Sequence, residues 1–430
     1  MDKIVDITGI AYGGKGVGRI DGKIVFVPFT APGDKVRVNI LTEKKAFSEG
    51  VVTEILSPSP LRQTPPCGLF GICGGCSLQH INYKGQLEWK ENIFEETLKR
   101  IGKISDVDYL NPVPSEAILN YRSRASFHIE GGRWGFYEGK SHRVVDIESC
   151  PILDEGINAV FGRLKKALSN ADAGLCGVDI GVSMDGGDGD GGAVALLRTY
   201  KDTGFKWGRS LSGVEGLKGF EVWRQELKKG KGKRIIAEGD ISISYRVRGL
   251  DLSAGISVFS QVNPYQNKNL VDKVVEFAGL KGDEKVVDLF SGAGNLTLPL
   301  APLAREAVGI ESNAEAIDSA FRNASRNGSK RVEFQASDAF GWLKRNIKTL
   351  ERERPSVLVL DPPRSGEYQV ATALSGFKPE KIVYVSCSPP TLARDLSLLT
   401  GCGYRVSKAQ LIDMFPQTYH IEGVAALELR

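Results

Sequence analysis

Three cysteines lie close together near the start of the chain, in the order Cys67-x5-Cys73-x2-Cys76. Thiolates are strong ligands for zinc and for iron–sulfur clusters, and both kinds of centre commonly take four of them. Cys150, in the segment Glu-Ser-Cys-Pro, is the best candidate for the fourth ligand. The sequence therefore predicts a metal centre at these four residues, and the cysteine pattern leaves zinc and iron–sulfur both open.

A second candidate site is the segment Lys285–Leu300, KVVDLFSGAGNLTLPL, in which an apolar run ends in an acid and a Gly-rich turn follows. This order predicts a strand, a tight turn and the start of a helix. Gly292 and Gly294 would let a nucleotide-like ligand rest against bare backbone. A dinucleotide-binding fold requires a third glycine at the position of Thr297, and a phosphate-binding loop requires a lysine in the turn. Neither is present, so the remaining candidate ligand is S-adenosylmethionine (SAM), which carries no phosphate.

More polar residues follow the strands predicted after this turn. Glu311 ends the second of them, where a carboxylate can accept both hydroxyl groups of a ribose, as it also does in NAD enzymes. NAD chemistry does not explain Asp361-Pro-Pro-Arg364 or the cysteine at the next strand end, Cys387. The segment Asp413–Glu422 places a further carboxylate beyond the sixth strand. The set at the other predicted strand ends comprises Asp288, Phe290, Asn295, Glu311, Asp338, Asp361 and Cys387.

The elements that must position these residues form a βαβ alternation over residues 256–430. Such an alternation predicts a doubly wound, Rossmann-like α/β sheet with its ligands beyond the C-terminal ends of the strands. The predicted strands are Lys285–Leu289, Glu306–Ile310, Arg331–Gln335, Val357–Leu360, Lys381–Ser386, Tyr404–Asp413 and Gly423–Leu429, with helices between them.

Two further domains are predicted before this one. Residues 1–60 carry short alternating runs separated by Gly, Pro and Asp turns, which is typical of a small OB-like β-barrel. Residues 61–255 predict a central α+β domain with antiparallel strands. Apolar residues at helical spacing predict an amphipathic helix over Tyr83–Gly102, and the segment 83–104 is a candidate to pack on the catalytic domain instead.

Composition narrows the class of protein. A chain of 430 residues with 41% hydrophobic residues is long enough for several buried cores. Seven cysteines without a secretion signal favour metal-binding or catalytic thiols over disulfides, and no apolar run approaches the ~20 residues of a membrane helix, so a cytoplasmic location is expected. The net charge is only +4, but Lys228, Lys229, Lys231, Lys233 and Arg234 form a basic cluster that predicts contact with a polyanion.

Several motifs taken together resemble the RNA uracil-5 methyltransferases. They are Gln261-Val-Asn, DLFSGAGNLTLPLA, DPPRSG, YVSCSPPTLARDL and DMFPQTYHIE. The segment Tyr12–Arg19 and the prolines after it also resemble the TRAM domain, an RNA-binding barrel. The four cysteines with the TRAM-like start resemble the iron–sulfur branch of the family, which methylates ribosomal RNA.

The resemblance implies a role for each matching residue. It implies a 4Fe–4S cluster at the four cysteines, a nucleophile at Cys387 and a general base at Glu422. The chain departs from the family at Ser388, where Asn is frequent, and at Pro390, where a small residue is usual, so the shape of the target-base pocket is the least defined part. The implied SAM contacts are Gln261, Phe290, Asn295, Glu311, Asp338 and Asp361.

The expected reaction explains why these residue types are needed. Carbon 5 of uracil becomes nucleophilic when a thiolate adds to carbon 6, and a base must then remove the proton from carbon 5. The expected partner is RNA, ribosomal rather than transfer, with the target uridine unpaired or flipped out. Alternatives are a transfer-RNA uracil-5 methyltransferase, an RNA cytosine-5 methyltransferase, an RNA-binding protein on a decayed methyltransferase fold, and an iron–sulfur oxidoreductase.

Overall fold

The computed structural model describes residues 2–169, 174–184, 192–201, 207–225, 232–353, 357–374 and 378–430. Within these ranges the strands form a closed barrel, a seven-stranded sheet, a two-stranded hairpin and an eight-stranded sheet.

The N-terminal domain is a five-stranded closed barrel, as predicted. Alternate residues point inward along each strand, so Val5 and Ile7 of the first strand pack against Val25, Val27 and Val36 of the third and fourth strands. The strands run in the order β1-β2-β3-β5-β4 around the barrel. They are β1 (Lys3–Ile10), β2 (Lys15–Ile20), β3 (Lys23–Pro28), β4 (Lys35–Glu43) and β5 (Phe47–Ser57).

The central α+β unit is built on a seven-stranded sheet in the order β13-β12-β11-β10-β7-β8-β9. One face buries Phe127, Val178 and Leu197 against Phe161 of helix α2. The strands are antiparallel except for β11 and β12, which are parallel because the connection between them crosses over through helix α3. The elements are β7 (Arg124–Glu130), β8 (Arg133–Tyr137), β9 (Val144–Asp146), α2 (Glu155–Ala167), β10 (Leu175–Val182), β11 (Ala193–Thr199), α3 (Gly208–Ser212), β12 (Leu217–Arg224) and β13 (Lys233–Gly239), followed by the hairpin β14 (Ser242–Val247) and β15 (Leu250–Gly255).

The C-terminal domain is the predicted doubly wound sheet, in the order β18-β17-β16-β19-β20-β22-β21-β6. Strands β16 to β20 are parallel, and β22 runs antiparallel between β20 and β21. Helices cover both faces. The elements are α4 (Pro264–Ala278), β16 (Lys285–Asp288), α5 (Thr297–Leu300), a 3-10 turn (Ala301–Leu303), β17 (Glu306–Glu311), α6 (Ala314–Arg326), β18 (Val332–Ala336), α7 (Ala339–Glu353), β19 (Val357–Leu360), α8 (Tyr368–Ala373), β20 (Lys381–Ser386), α9 (Pro389–Gly401), β21 (Tyr404–Ile412) and β22 (Glu422–Leu429).

One segment of the predicted central domain packs with the C-terminal sheet. Helix α1 (Tyr83–Arg100) buries Phe94 and Leu98 in the core that α9 covers, and strand β6 (Asp108–Val113) pairs in parallel with β21 at the edge of the sheet. The segment therefore belongs by its packing to the C-terminal domain, although it precedes the central sheet in the chain.

Capping residues at both ends set the bounds of helix α4, which follows Gln261. The Asn263 side chain accepts a hydrogen bond of 3.2 Å from the Gln266 backbone N–H, and Pro264 occupies the first turn of α4, where its missing N–H costs nothing. Gly279, with φ of 57°, ends the helix in a left-handed conformation. These caps place Gln261 just before α4.

Candidate active site

The glycine-rich turn after β16 combines two positive-φ glycines with one buried acid. Gly292 has φ of 53° and Gly294 has φ of 92°. A side chain at position 292 would meet no atom within 4 Å, so the backbone is bare on that side. Behind the turn, the Asp288 carboxylate accepts a hydrogen bond of 2.6 Å from Thr297 Oγ1, and burial raises the pKa of Asp288 to about 6. The acid thus ties the end of β16 to the start of α5.

Glu311 lies across this turn. Its Oε2 accepts a hydrogen bond of 3.2 Å from the Gly292 backbone N–H, and its Oε1 accepts one of 2.8 Å from the Asn313 backbone N–H. The Ser312 hydroxyl also donates a hydrogen bond of 3.1 Å to Oε1. Each carboxylate oxygen can accept two hydrogen bonds, so Oε2 keeps acceptor capacity for another donor. The backbone therefore orients Glu311 without saturating it.

A cavity of about 830 Å³ lies beyond the C-terminal ends of the parallel strands. It has the position at which doubly wound sheets bind their ligands, and a size typical of ligand pockets. Seven of the predicted cofactor and catalytic residues line it: Gln261, Phe290, Glu311, Asp338, Asp361, Cys387 and Glu422.

Asn295, an eighth predicted residue, is not among the lining residues of the cavity. Its side-chain amide exchanges two hydrogen bonds of 2.9 Å with the amide of Asn267 in α4. Asn295 therefore holds the turn against α4 in this structure.

Cys387 and Glu422 meet at the other end of the cavity because they lie at the matching ends of the paired strands β20 and β22. Burial raises the pKa of the Cys387 thiol to about 11, and the negative charge of Glu422 acts in the same direction. The Arg364 guanidinium opposes them by its charge and by a hydrogen bond to the thiol. Arg364 is therefore the neighbour that favours the thiolate.

A second acid, Asp361, lies beside Glu422 at this end. Burial raises the pKa of Asp361 to about 7, and the nearby Asp288 charge adds to the shift. Burial raises the pKa of Glu422 well above its ordinary value, and the charge of Asp361 raises it further. The charge of each carboxylate therefore raises the pKa of the next one. A bound cation would relieve this repulsion, so the arrangement is the one expected in a site that binds a cation.

The structure adds cavity residues that the sequence argument did not single out. Phe259 lies two positions before Gln261 and is 70% exposed. His420 lies inside the motif DMFPQTYHIE and is contacted by the Arg364 guanidinium, and burial together with Arg364 lowers its pKa to about 3, so its ring is neutral. The sequence signal that could have identified them is their position, since Phe259 lies beside the motif Gln261-Val-Asn and His420 lies within DMFPQTYHIE.

Helix α1 fixes the loop that carries His420. Lys90 is buried and donates hydrogen bonds of 2.6 Å to Asp413 Oδ1 and 2.9 Å to the Phe415 carbonyl. Gln86 and Gln417 exchange hydrogen bonds of 3.0 and 2.9 Å. A buried charge is tolerated only with such partners, so Asp413 acts as an anchor of loop 413–421.

The four cysteines predicted to bind metal are all free of disulfides, and they lie close enough for their charges to affect one another's pKa values. Burial raises the pKa values of Cys76 and Cys150 to about 12 and about 11, and the Cys73 charge acts on both. Cys67 acts in turn on Cys73 and Cys150. Across the described ranges, however, no group of three or more His, Cys, Asp or Glu side chains has the geometry to hold a metal ion.

The predicted basic cluster is only partly described. Lys228, Lys229 and Lys231 lie outside the described residues. Arg234 is ion-paired with the buried Glu221 at 2.8 Å and with Glu315 at 3.7 Å, so in this structure it helps to hold β13 on the sheet.

Comparison with known proteins gives consistent results. Residues 82–430 match the family described as tRNA (Uracil-5-)-methyltransferase, and residues 4–53 match the TRAM domain. The chain is 37% identical over 457 residues to an uncharacterized RNA methyltransferase of Caldanaerobacter subterraneus subsp. tengcongensis, with 99% of this chain and 97% of the relative covered. It is 32% identical over 435 residues to the 23S rRNA (uracil(1939)-C(5))-methyltransferase of Neisseria lactamica, with 99% and 95% covered.

A solved structure is also similar over the whole length. The Pyrococcus abyssi tRNA (uracil-54, C5)-methyltransferase, in complex with S-adenosyl-L-homocysteine, superposes with a TM-score of 0.76 at 28% identity, covering 99% of this chain and 100% of that chain. In the part of the chain that the structure describes, no helix is long and apolar enough to cross a membrane.

Proposed function

The chain belongs to the tRNA (uracil-5-)-methyltransferase family and is a SAM-dependent RNA uracil-5 methyltransferase, and on that premise we propose that its target is a uridine of 23S ribosomal RNA. The family assignment and the N-terminal TRAM domain confirm the sequence-based prediction. The Neisseria lactamica relative supports the ribosomal target, whereas the Pyrococcus abyssi structure supports transfer RNA as the alternative. A cytoplasmic location stays a prediction.

One observation carries the proposal for the site. A single cavity joins Glu311, which lies across the glycine turn, to Cys387 and Glu422 at its far end. A methyl donor seated on the turn would therefore share one space with a nucleophile and a base. The charges also suit a sulfonium cation, because the crowded carboxyls at Asp361 and Glu422 would ionise more readily beside a positive charge.

At the cofactor end, we propose that Glu311 accepts hydrogen bonds from the ribose hydroxyls of SAM, using the capacity left on Oε2 and the capacity that rotation of the Ser312 hydroxyl would release on Oε1. Gln261, Phe290 and Asp338 line the same end. Asp338 is held in place because its Oδ1 accepts a hydrogen bond of 2.6 Å from the Gly341 backbone N–H. A role of Asn295 in SAM binding is supported only indirectly, because its side chain holds the glycine-rich turn against α4 and does not line the cavity.

At the reacting end, we propose that Cys387 adds to carbon 6 of the flipped uracil. The new C–S bond moves the electrons of the C5=C6 bond toward the carbonyl oxygen at carbon 4, which makes carbon 5 nucleophilic. SAM supplies the electrophilic methyl group. The Arg364 guanidinium lies where it stabilises the thiolate before the bond forms and after it breaks.

Glu422 would then complete the reaction as the general base. Its carboxylate takes the proton from carbon 5, the electrons of that C–H bond restore the C5=C6 bond, and the Cys387 thiolate leaves. Burial and the Asp361 charge raise the pKa of Glu422, so its carboxylate is a stronger proton acceptor than an exposed one.

We further propose that Cys67, Cys73, Cys76 and Cys150 hold a 4Fe–4S cluster. The support is their shared electrostatic environment together with the family resemblance. In such a cluster each thiolate binds its own iron, so the four sulfurs need not converge on one point as the ligands of a single ion must. The reaction is redox-neutral, so we assign the cluster a structural role in shaping the RNA-facing surface near Arg122.

A substitution tests that structural role. Cys73→Ser should lose iron, lower the melting temperature and weaken RNA binding, whereas Cys176→Ser, which changes a cysteine outside the set, should bind iron and RNA as the wild type does. Iron content, thermal melting and a filter-binding assay measure the three properties. A Cys73→Ser protein that kept its fold and its RNA affinity would remove the proposed role.

The target is tested by incubating the protein with methyl-labelled SAM and total RNA from a strain that lacks the gene. We expect label on carbon 5 of one uridine in 23S ribosomal RNA, identified by nuclease mapping and mass spectrometry. Label in transfer RNA would select the alternative target, and label on cytosine, or none in RNA, would overturn the proposal.

A further inference from the structure

A loop of the N-terminal barrel reaches the reacting end of the catalytic site. The ring of Tyr12, between β1 and β2, packs edge-on against Tyr419 with 5.7 Å between ring centroids. Two residues later, a Cβ atom on Gly14 would come within 3.1 Å of the Ser77 side chain and 3.3 Å of the Tyr419 Cβ. The barrel loop therefore lies directly on the loop 413–421 that leads into Glu422.

The same tyrosine also reaches the loop of the proposed nucleophile. Burial raises the pKa of the Tyr12 phenol, while a hydrogen bond with the Ser388 side chain opposes that shift. Ser388 follows Cys387 directly and is buried, and its backbone N–H donates a hydrogen bond of 3.2 Å to Ser386 Oγ. The phenol therefore lies beside the segment that presents the thiol.

The two contacts of Tyr12 converge on one thiol. Tyr419 packs on His420 with 4.2 Å between ring centroids, and Arg364 contacts that same His420 ring. Arg364 also hydrogen-bonds Cys387. One route from Tyr12 therefore runs through Ser388, and the other runs through the aromatic rings to the guanidinium that favours the thiolate.

These contacts are separate from the apolar interface that docks the barrel. That interface includes Ile10 and Ala31 of the barrel, packed against Leu78, Ile81 and Trp89. Tyr12 is 36% exposed and does not belong to this buried cluster. Docking alone therefore does not require a tyrosine hydroxyl at this position.

We propose that Tyr12 of the TRAM barrel is a positioning residue for Cys387, which rests on the proposed function of Cys387 as the nucleophile. Its hydroxyl holds Ser388 and its ring holds Tyr419. The barrel would then do more than bind RNA, because it supports the loops behind the base end of the cavity and makes the geometry of the thiol depend on barrel docking.

Two substitutions separate the hydroxyl from the ring. Tyr12→Phe removes only the hydrogen bond, and we expect the single-turnover rate of methyl transfer to a 23S ribosomal RNA transcript to fall about 3- to 10-fold. Tyr12→Ala removes the ring as well and should cost more. Neither substitution touches the cofactor end, so the dissociation constants for SAM and for the transcript should stay within about twofold of the wild type. The single-turnover rate is measured at saturating RNA, so a change in RNA binding would not alter it.

The chain provides a matched pair of controls in Gly13 and Gly14. Both have positive φ, of 101° and 81°, so alanine strains the backbone at either position. Only at Gly14 does the added Cβ meet Ser77 and Tyr419, since position 13 has no atom within 4 Å. We expect Gly14→Ala to slow methyl transfer and Gly13→Ala to leave it near the wild-type rate at equal folded fraction.

The outcomes distinguish the inference from the proposed function. If the wild-type protein does not methylate the transcript, the proposed target fails, and the same assay is then run on the RNA that total-RNA labelling identifies. If the wild type is active and both Tyr12→Phe and Gly14→Ala match its rate, the positioning role is wrong. It is also wrong if the variants change only the RNA dissociation constant, because Tyr12 would then be an RNA contact.

Discussion

The two ends of the cavity hold their carboxylates in different ways. At the cofactor end, Glu311 accepts backbone hydrogen bonds from Gly292 and Asn313, which orient it. At the reacting end, burial and the Asp288 charge raise the pKa of Asp361, and burial and the Asp361 charge raise the pKa of Glu422. The first arrangement suits recognition of neutral hydroxyl groups, and the second suits acceptance of a proton or proximity to a cation.

The difference shows how the site divides its work. A carboxylate fixed by the backbone contributes binding that is equal in the ground state and the transition state, so its loss should raise KM. A carboxylate or thiol with a perturbed pKa contributes when bonds change, so its loss should lower kcat. Substitutions at the two ends should therefore separate these constants.

The largest effect is expected at Cys387. Cys387→Ala should lower methyl transfer by at least about 1,000-fold, because the uracil ring is no longer activated, while SAM binding persists. Transfer of labelled methyl groups and calorimetric titration of SAM measure the two properties. Cys402→Ala, at a cysteine that ends α9 outside the cavity, is the control and should keep wild-type activity. If the two variants had comparable activity, the proposed difference in role between the two ends of the cavity would be wrong.

A smaller effect is expected at Glu311. Glu311→Gln replaces one acceptor oxygen by a donor, and we expect SAM affinity to fall about 10- to 100-fold with kcat at saturating SAM near the wild-type value. Glu306→Gln is matched to it, since Glu306 begins the same strand and pairs with Lys285 at 3.0 Å. That control should change SAM affinity little. A Glu311→Gln protein with reduced kcat and unchanged affinity would contradict the assignment of this end.

The smallest effect is a pH dependence of stability at Asp361. Burial raises its pKa to about 7, so between about pH 4 and pH 7 the unfolded chain loses a proton that the folded protein retains. Stability from this group therefore falls as pH rises through that window. Asp361→Asn removes the penalty and should melt a few degrees above the wild type at pH 8 and together with it at pH 4.

The exposed Asp283 supplies the control for this measurement, because Asp283→Asn should leave the melting temperature unchanged at both pH values. A lower melting temperature for Asp361→Asn at pH 8 would mean that the carboxylate is stabilised in the folded protein, and the contrast between the ends would lose its electrostatic basis.

The sequence predicted those parts of the site that depend on local pattern. Glu311 ends an apolar strand and Cys387 directly follows one. Parallel strands bring their ends to one edge of a sheet, so strand prediction was enough to place the two residues together. The N-terminal barrel could also be predicted from the sequence, because alternating apolar residues and turn residues are local signals.

The remaining features depend on contacts between distant residues. Lys90 meets Asp413 across 323 positions, and nothing local marks either as half of a buried pair. Asn295 faces Asn267 in α4 although it lies in the cofactor turn, because the path of the helix decides where its amide points. Tyr12 reaches Ser388 only through the docking of the barrel, which periodicity does not predict.

The most direct test of the account is the fate of RNA on a Glu422→Gln variant. Loss of the base should leave carbon 5 methylated but still protonated, so the uracil stays bonded to the thiol. We expect mass spectrometry after nuclease and protease digestion to find a methylated nucleotide on the peptide that contains Cys387. Multiple turnover at the wild-type rate without an adduct, or an adduct on a different cysteine, would contradict the assignment of Cys387 and Glu422.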